Sequence, residues 1–123
     1  MKKNSINWFE IYVTDFDRSQ KFYETILNTK LVPLEGTEHP MAMFPVEEET
    51  CITGAIMYME ECKPGPGGTL VYLNVEGEMQ DVISRIADAG GKVVRDRFAI
   101  PPHGFIAIFE DTEGNVIGLH SMS

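Results

Sequence analysis

The sequence lacks any apolar run that approaches the roughly 20 residues needed to cross a lipid bilayer as a helix. The first five residues, Met1-Lys2-Lys3-Asn4-Ser5, are basic, but no apolar segment follows them, so the pattern does not predict a secretory signal. We therefore expect no membrane partner and a cytoplasmic location.

Cysteine is also scarce. The chain has two cysteines, Cys51 and Cys62, which are too few for a disulfide framework and do not form a Cys-x-x-Cys motif. Free thiols are typical of the cytosol, where disulfides seldom persist, so cysteine usage agrees with the expected location.

Basic residues are few relative to acidic ones. The 123 residues include 10 Lys and Arg against 19 Asp and Glu, which gives a formal net charge of −9. Nucleic-acid phosphates are bound by clustered Lys and Arg, so the charge balance argues against a nucleic-acid partner. The length is enough for one domain with a core of its own.

The clearest pattern that is present is a strand, a tight turn and an amphipathic helix over residues 8–27. Strict alternation gives the strand an apolar face, which suits packing beneath the helix, and a polar-aromatic face, which suits the wall of a cavity or groove. The polar-aromatic face holds Trp8, Glu10 and Tyr12, and the apolar face holds Phe9, Ile11 and Val13. Asp15 stands where its carboxylate can cap the helix. The apolar stripe of the helix consists of Phe16, Phe22, Tyr23, Ile26 and Leu27.

This pattern occurs twice. With a shift of 62 positions, residues 13–32 align with residues 75–94 without a gap, and the strand at 70–75 matches the strand at 8–13. The helix predicted over about 78–89 then matches the first helix. Two copies are too few for a solenoid, so the repeat predicts a duplicated α+β module.

Each copy reads as β-α-β-β-β. Module 1 covers about residues 5–60 and module 2 about residues 69–122, joined by the Pro/Gly linker at 63–68. The remaining predicted strands are 30–34, 41–45, 51–59, 92–96, 104–110 and 116–120, the last two joined by a turn at 111–115. Four strands cannot bury both faces alone. We therefore expect a single α+β domain over residues 1–123, in which the tandem modules form a curved eight-stranded sheet around a cleft.

Two motifs carry a resemblance to a known family. They are Val13-Thr14-Asp15-Phe16-Asp17-Arg18-Ser19 with Phe22-Tyr23, and the late hairpin Phe109-Glu110-Asp111-Thr112-Glu113-Gly114-Asn115-Val116-Ile117-Gly118-Leu119. With the doubled module, the chain resembles the glyoxalase, bleomycin-resistance and dioxygenase group, the vicinal-oxygen-chelate superfamily. Relatives of this size commonly build each cleft from modules of two chains, so the resemblance also implies a homodimer.

Metal-dependent members of this group carry His, Gln or Glu ligands at four strand positions. In this sequence those positions match Trp8, Gly54, Leu70 and Gly118, none of which can ligate a metal through its side chain. The usual metal site is therefore absent and no cofactor is expected. A divalent metal at a non-standard site stays open, since Glu10 with His103 and His120 would resemble an iron-binding facial triad.

The expected cleft nevertheless has polar and aromatic candidates for ligand binding. These are Trp8, Glu10, Tyr12, Asn74, His103 and His120. Trp8 either stacks on a planar ligand or fills the space of the missing metal. Glu10, the one catalytic candidate, is either a general base or a solvated carboxylate. His103 either joins the site or only holds its loop, and His120 is a site or a surface residue. The methionines are expected to fill the core: Met41, Met43, Met57, Met59 and Met122.

Two functions remain open. In one, the protein is a homodimeric binder of a small organic ligand, as the bleomycin-resistance branch implies. In the other, it is a lyase, isomerase or dioxygenase-like enzyme that uses Glu10 with His103 or His120 on a small carbonyl or cyclic substrate. The missing metal ligands favour the binder, and the retained carboxylate and histidines favour the enzyme.

Overall fold

The computed structural model describes residues 4–112 and 114–123, and these form eight strands and two helices. Met1–Lys3 and Glu113 lie outside the described residues, and with them the basic N-terminus and the middle of the predicted turn at 111–115. The chain divides into two compact units. We call Trp8–Leu70 the N-terminal module, and Val71–Ser123 together with the chain before Trp8 the C-terminal module.

The N-terminal module has the predicted order of elements. They are β1 (Ile6–Tyr12), α1 (Phe16–Leu27), β2 (Val32–Pro33), β3 (Met41–Met43) and β4 (Ala55–Met57). The strands lie side by side in the order β2-β3-β4-β1, with β1 and β4 parallel and the other pairs antiparallel. β2 is shorter than predicted and ends at Pro33, which has no amide to donate to a neighbouring strand.

The C-terminal module repeats this topology. Its elements are β5 (Thr69–Asn74), α2 (Met79–Ile86), β6 (Lys92–Ala99), β7 (Phe105–Glu110) and β8 (Val116–Ser121). The strand order is β5-β8-β7-β6, again with the first and last strands of the copy parallel. The predicted α+β class, with tandem β-α-β-β-β modules and eight strands, is confirmed. β6 is longer than predicted because it continues as one arm of a hairpin with β7, closed by a backbone hydrogen bond of 2.8 Å from Ile100 to Gly104.

The core of the N-terminal module lies between α1 and one face of its strands. Its buried members are Val13, Leu31, Ala42 and Ile56, with Ile11, Phe16, Tyr23 and Phe44 packed against them. Asp15 caps α1 as predicted, because its carboxylate accepts from the Arg18 amide at 3.0 Å. The predicted apolar stripe is wrong for Phe22, Ile26 and Leu27, which are 55%, 58% and 52% exposed. Phe16 and Tyr23 pack against this core, whereas the other three side chains lie mostly in water.

The C-terminal module has a more extensive core. Its buried members are Val75, Met79, Ile83, Ile86, Ala107 and Leu119. Three of these, Met79, Ile83 and Ile86, belong to α2, whereas α1 contributes no buried residue. The two helices therefore have the same place in the topology and different degrees of burial.

The gapless alignment of the two copies holds for the strands but not for the helices. Val13 and Val75, each 7% exposed, are 62 positions apart, whereas the first helical residues Phe16 and Met79 are 63 apart. The extra residue lies in the turn before α2, where Gly77 has a φ of +77°, a conformation that glycine adopts without steric cost. The corresponding helical positions are Phe16 with Met79, Gln20 with Ile83, and Tyr23 with Ile86.

Among residues 4–112 and 114–123, no helix is long and apolar enough to cross a membrane. This finding concerns α1 and α2, the two helices that these residues form.

Candidate functional site

The polar-aromatic face of β1 holds one carboxylate between two aromatic hydrogen-bond donors. The indole Nε1 of Trp8 donates to Oε2 of Glu10 at 3.2 Å, and the hydroxyl of Tyr12 donates to Oε1 at 3.0 Å. All three side chains are half-buried. Because each carboxylate oxygen receives a donor from its own strand, the plane of the carboxylate is set by local structure. The prediction that these three residues share a face is confirmed.

Strand pairing adds methionine to the same face. Glu10 lies opposite Ala55 and Tyr12 opposite Met57 in the parallel pair of β1 and β4. On the far side of β4, Met41 lies opposite Met57 and Met43 opposite Ala55. Side chains at directly opposed positions point to the same face of a sheet. We call this surface, formed by Trp8, Glu10, Tyr12, Met41, Met43 and Met57, the carboxylate–methionine face.

This placement corrects the expectation that Met41 and Met43 fill the core, whereas Met57, which is 5% exposed, is buried as expected. The core of the module uses Ala42 and Ile56, the residues that alternate with these methionines along β3 and β4. Met41 and Met43 are therefore half-buried on the face away from α1, and Met57 is buried there. Met122 is exposed, so it does not fill the core either.

In the C-terminal module, His120 is held by both ring nitrogens. Nε2 lies 2.7 Å from the carbonyl oxygen of His103, and Nδ1 lies 2.7 Å from Nδ2 of Asn7. A carbonyl can only accept, so Nε2 carries the proton and Nδ1 accepts from the Asn7 amide. These two contacts together define one tautomer of the ring. Among the described residues, the buried Oδ1 of Asn7 has no hydrogen-bond partner.

Two other predicted site residues, Asn74 and His103, make hydrogen bonds that stabilise turns and loops. The Asn74 side chain accepts from the Glu76 amide at 3.1 Å, so it stabilises the turn between β5 and α2. His103 has an exposed side chain, while its backbone amide donates to Ile100 at 2.7 Å and its carbonyl accepts from His120. Of the two alternatives for His103, these contacts favour the role of holding its loop.

Five of the six predicted site residues therefore belong to two groups, and the side chain of the sixth, Asn74, stabilises a turn. Trp8 and Tyr12 both contact Glu10 in the N-terminal module, and His120 contacts the carbonyl of His103 in the C-terminal module. A histidine within reach of Glu10 stays a prediction.

The strand positions that would carry metal ligands have no ligating side chain. Tyr72 pairs with Gly118, and Glu10, which corresponds to Tyr72 by the shift of 62, pairs with Ala55. The position equivalent to Gly118 is thus Ala55, one residue beyond the Gly54 that sequence matching indicates. Neither residue can ligate, so the usual four-ligand metal does not fit these side chains.

Gly54 itself faces the core side of the strand. A Cβ at this position would overlap the Phe9 carbonyl oxygen and would lie 2.6 Å from the Phe9 ring. Glycine here permits a close approach of Phe9 to β4. Within the described part of the chain, no group of three or more His, Cys, Asp or Glu side chains could hold a metal ion. The expectation that the protein uses no cofactor stays a prediction.

A groove of about 470 Å³ lies elsewhere in the N-terminal module, along the first turns of α1 and the Pro/Gly segment. Its lining includes Arg18, Ser19 and Phe22 from α1 and Pro64 and Gly65 from the Pro/Gly segment. Of the predicted site residues it includes only Tyr12, whose hydroxyl is directed to Glu10. The groove therefore does not coincide with the carboxylate–methionine face.

Sequence reasoning missed Asn7 and the site placement of Met41, Met43 and Met57. The alternation of Met41 and Met43 about Ala42 was visible, but only the pairing of β3 with β4 shows that they share a face with Glu10. No comparable signal exists for Asn7, because its contact with His120 spans 113 residues.

Comparison with known proteins identifies one family. The sequence model of the Glyoxalase/Bleomycin resistance protein/Dioxygenase superfamily matches residues 5–119. No curated protein matches the chain in sequence.

Solved structures with the same fold differ widely in sequence. A hypothetical protein from Bacillus halodurans C-125 has a TM-score of 0.70 at 14% identity, with 99% of this chain and 96% of that chain covered. A methylmalonyl-CoA epimerase from Mycobacterium tuberculosis has a TM-score of 0.68 at 15% identity, with 97% and 88% covered. A Mn(II)-bound glyoxalase from Novosphingobium aromaticivorans has a TM-score of 0.69 at 18% identity, with 96% of this chain and 38% of that chain covered. At these identities the likeness shows the fold alone.

Proposed function

Because the chain belongs to the glyoxalase/bleomycin resistance protein/dioxygenase superfamily, we propose that it binds a small organic ligand on the carboxylate–methionine face. The observation that carries the proposal is the Glu10 carboxylate, held by Trp8 and Tyr12 in a half-buried position. A few fixed polar groups among aromatic and apolar side chains are typical of small-molecule sites. The absence of ligating side chains at the usual metal positions supports binding that does not depend on that metal.

The test uses Glu10→Gln, which is nearly isosteric. The free energy of unfolding should change by no more than about 1 kcal/mol, because the residue lies outside the core. Affinity for ligands should fall, because the amide removes the charge and exchanges an acceptor for a donor. Trp8 is the one tryptophan of the chain, so its fluorescence reports binding at this face during a screen of small organic compounds.

The matched control is Glu60→Gln, which makes the same change at an exposed position of the same module. Hits from the screen should bind this variant like the wild type and bind Glu10→Gln at least about 10-fold more weakly. Equal affinity for all three proteins would contradict the proposal, as would a screen in which no compound changes Trp8 fluorescence.

A second candidate function is a lyase, isomerase or dioxygenase-like reaction on a small carbonyl or cyclic substrate. Two observations support it: the positioned Glu10 carboxylate and the fixed tautomer of His120. Solved relatives of the same fold include methylmalonyl-CoA epimerases and a glyoxalase. Glu10 would act as general base. Metal analysis of freshly purified protein separates the candidates, since a stoichiometric divalent metal that a chelator removes would favour the enzyme.

We also propose that the protein is a cytoplasmic homodimer. Exposed apolar side chains on α1, namely Phe22, Ile26 and Leu27, support a further contact surface, and twofold pairing is the commonest soluble assembly. The two free cysteines, of which Cys51 is exposed, support a reducing compartment. Light scattering at tens of micromolar protein should give twice the mass of 13.8 kDa; the mass of a single chain would contradict the dimer.

A further inference from the structure

We propose that the C-terminal module has a binding face of its own, which takes a small organic anion with an apolar body. This face consists of residues of β5 to β8 only, so the proposal does not depend on the ligand of the carboxylate–methionine face. Its members share one side of the sheet, the side away from α2. We call it the arginine–isoleucine face, and its residues are Arg95, Phe98, Ile106, Ile108, Gly118 and Tyr72.

Two β-bulges aim Arg95 at this face. Regular alternation would place Arg95 on the same side as Val93, which packs against the core of the module. β6 instead shifts its register between Val93 and Arg95 and again between Arg95 and Phe98. Arg95 therefore lies opposite Ile108, and Phe98 lies opposite Ile106, so these four side chains point to the same face. Bulges that re-aim a side chain are over-represented next to functional sites.

The guanidinium of Arg95 is positioned by an aromatic ring and not by a carboxylate. Its Cζ lies 3.5 Å from the centroid of the Phe98 ring, and among residues 4–112 and 114–123 no acidic side chain forms an ion pair with it. Two acidic residues of the same hairpin have other contacts or positions: Asp96 accepts from the backbone amide next to it at 2.7 Å, and Glu110 lies opposite Lys92. A guanidinium against a ring face still presents N–H donors that suit an oxyanion in pairs.

The rest of the face is apolar and suits the body of a ligand. Ile106 and Ile108 are half-buried and alternate with Ala107, which is 1% exposed in the core. One strand further along, Gly118 lies opposite Ile108, and a Cβ at Gly118 would overlap the Tyr72 ring. The ring of Tyr72 thus covers this position. Since neighbouring strands are about 4.8 Å apart, the apolar strip from Arg95 to Gly118 spans roughly 10 Å.

The charge of the whole chain makes the proposal specific. The formal net charge of −9 repels anions at long range. General attraction to the protein therefore cannot account for the binding of an anion. Binding would instead report a local contact, for which Arg95 supplies the charge.

The experiment uses three probes that share one body and differ in the head group: 4-phenylbutyrate, 4-phenylbutan-1-ol and 4-phenylbutylammonium. Each is titrated into the full chain and followed by ¹H–¹⁵N NMR, which gives the affinity and the location together. We expect the butyrate to bind at least about 10-fold more tightly than the alcohol, because hydrogen bonds between two charged groups are strong. The ammonium probe should bind most weakly. The largest amide shifts should belong to Arg95, Ile106, Ile108 and Gly118.

The chain offers a closely matched pair of variants. Arg95→Gln should reduce the preference for butyrate over alcohol to about threefold or less while alcohol affinity is retained. The control is Arg97→Gln, which removes the same charge from the same strand. Arg97 also lies over a ring, 3.7 Å from the centroid of Phe105, but Phe105 packs against the core on the other face. Arg97→Gln should therefore keep the full preference. Both arginines are exposed, so both variants should fold like the wild type.

Each other outcome overturns a defined part of the proposal. An equal loss of preference in the two arginine variants would show that no particular site binds the anion. Equal affinity of the wild type for butyrate and alcohol would overturn the selection of charge, and inorganic phosphate that binds as tightly as butyrate would overturn the apolar body. Amide shifts confined to residues 8–70 would overturn the arginine–isoleucine face and agree with the proposed function. No shift with any probe at millimolar concentration would overturn the inference and leave the proposed function to its own test.

Discussion

Helices α1 and α2 occupy the same place in two modules of one topology, but they differ in burial. α2 buries Met79, Ile83 and Ile86, whereas α1 buries no residue and leaves Ile26 more than half exposed. At the position that corresponds to buried Ile83, α1 has the polar residue Gln20. The comparison shows that two modules of the same topology can differ in how much of their helix they bury. The C-terminal module has the larger core, and the N-terminal module carries the carboxylate–methionine face.

The largest difference in stability is expected between two single variants, each of which replaces one isoleucine in one of the two helices. Ile83→Ala should lower the free energy of unfolding by about 2–5 kcal/mol, because it removes buried methyl groups and leaves a cavity. In the single chain Ile26→Ala should cost less than about 1 kcal/mol, because the side chain is mostly in water outside the proposed dimer contact. Urea unfolding at micromolar protein measures both. Similar losses for the two variants would show that the difference in burial does not exist in solution.

A smaller effect is expected at Gly118 and Ala55, which occupy equivalent positions in the two modules. Gly118→Ala should destabilise the protein by about 1–3 kcal/mol, because a Cβ there would overlap the Tyr72 ring. The reverse change in the other module, Ala55→Gly, should cost about 0.5–1 kcal/mol through backbone entropy. Thermal unfolding of both variants checks the pair. A neutral Gly118→Ala would mean that Tyr72 does not lie against β8.

The smallest effect concerns a carboxylate that α1 has and α2 lacks. Glu24 accepts from the Leu31 amide at 2.9 Å and from Gln20 at 3.2 Å, and Lys30 lies 3.8 Å away. The hydrogen bond from the Leu31 amide is the largest cause that lowers the pKa of Glu24 below its ordinary 4.5. The hydrogen bond from Gln20 and the positive charge of Lys30 lower it further. The corresponding position in the second copy is Ala87, the C-cap residue that follows α2.

Since the pKa of Glu24 is lower in the folded than in the unfolded state, its contribution to stability is complete above about pH 4.5 and is lost as the pH falls through the folded pKa. Glu24→Gln should therefore lower stability at pH 7 slightly and flatten the dependence of stability on pH between 5 and 3. Denaturant unfolding across that range measures the effect. Parallel pH curves for wild type and variant would show that the contact does not shift the pKa.

Much of the fold and part of the candidate site could be predicted from local pattern. Strand alternation alone placed Trp8, Glu10 and Tyr12 on one face, because side chains two apart in a strand point the same way. The cap at Asp15 was predictable because its hydrogen bond reaches only three positions along the chain, to the Arg18 amide. Asn74 lies on the same face of β5 as Tyr72, as alternation predicts. Its side chain nevertheless accepts from the Glu76 amide in the turn that follows, and alternation carries no information on such a contact.

The amino-acid sequence by itself determined the two β-α-β-β-β modules, the family and the polar-aromatic face of β1. These follow from periodicity and from motifs within short windows. Only the tertiary structure decided that α1 turns Ile26 outward, that Gly118 corresponds to Ala55, and that Met41 and Met43 share a face with Glu10. Each of these depends on how distant segments pair and on the angle at which a helix packs. A shift of one residue in strand pairing, or in the start of a helix, changes which side chains meet while the local pattern stays the same.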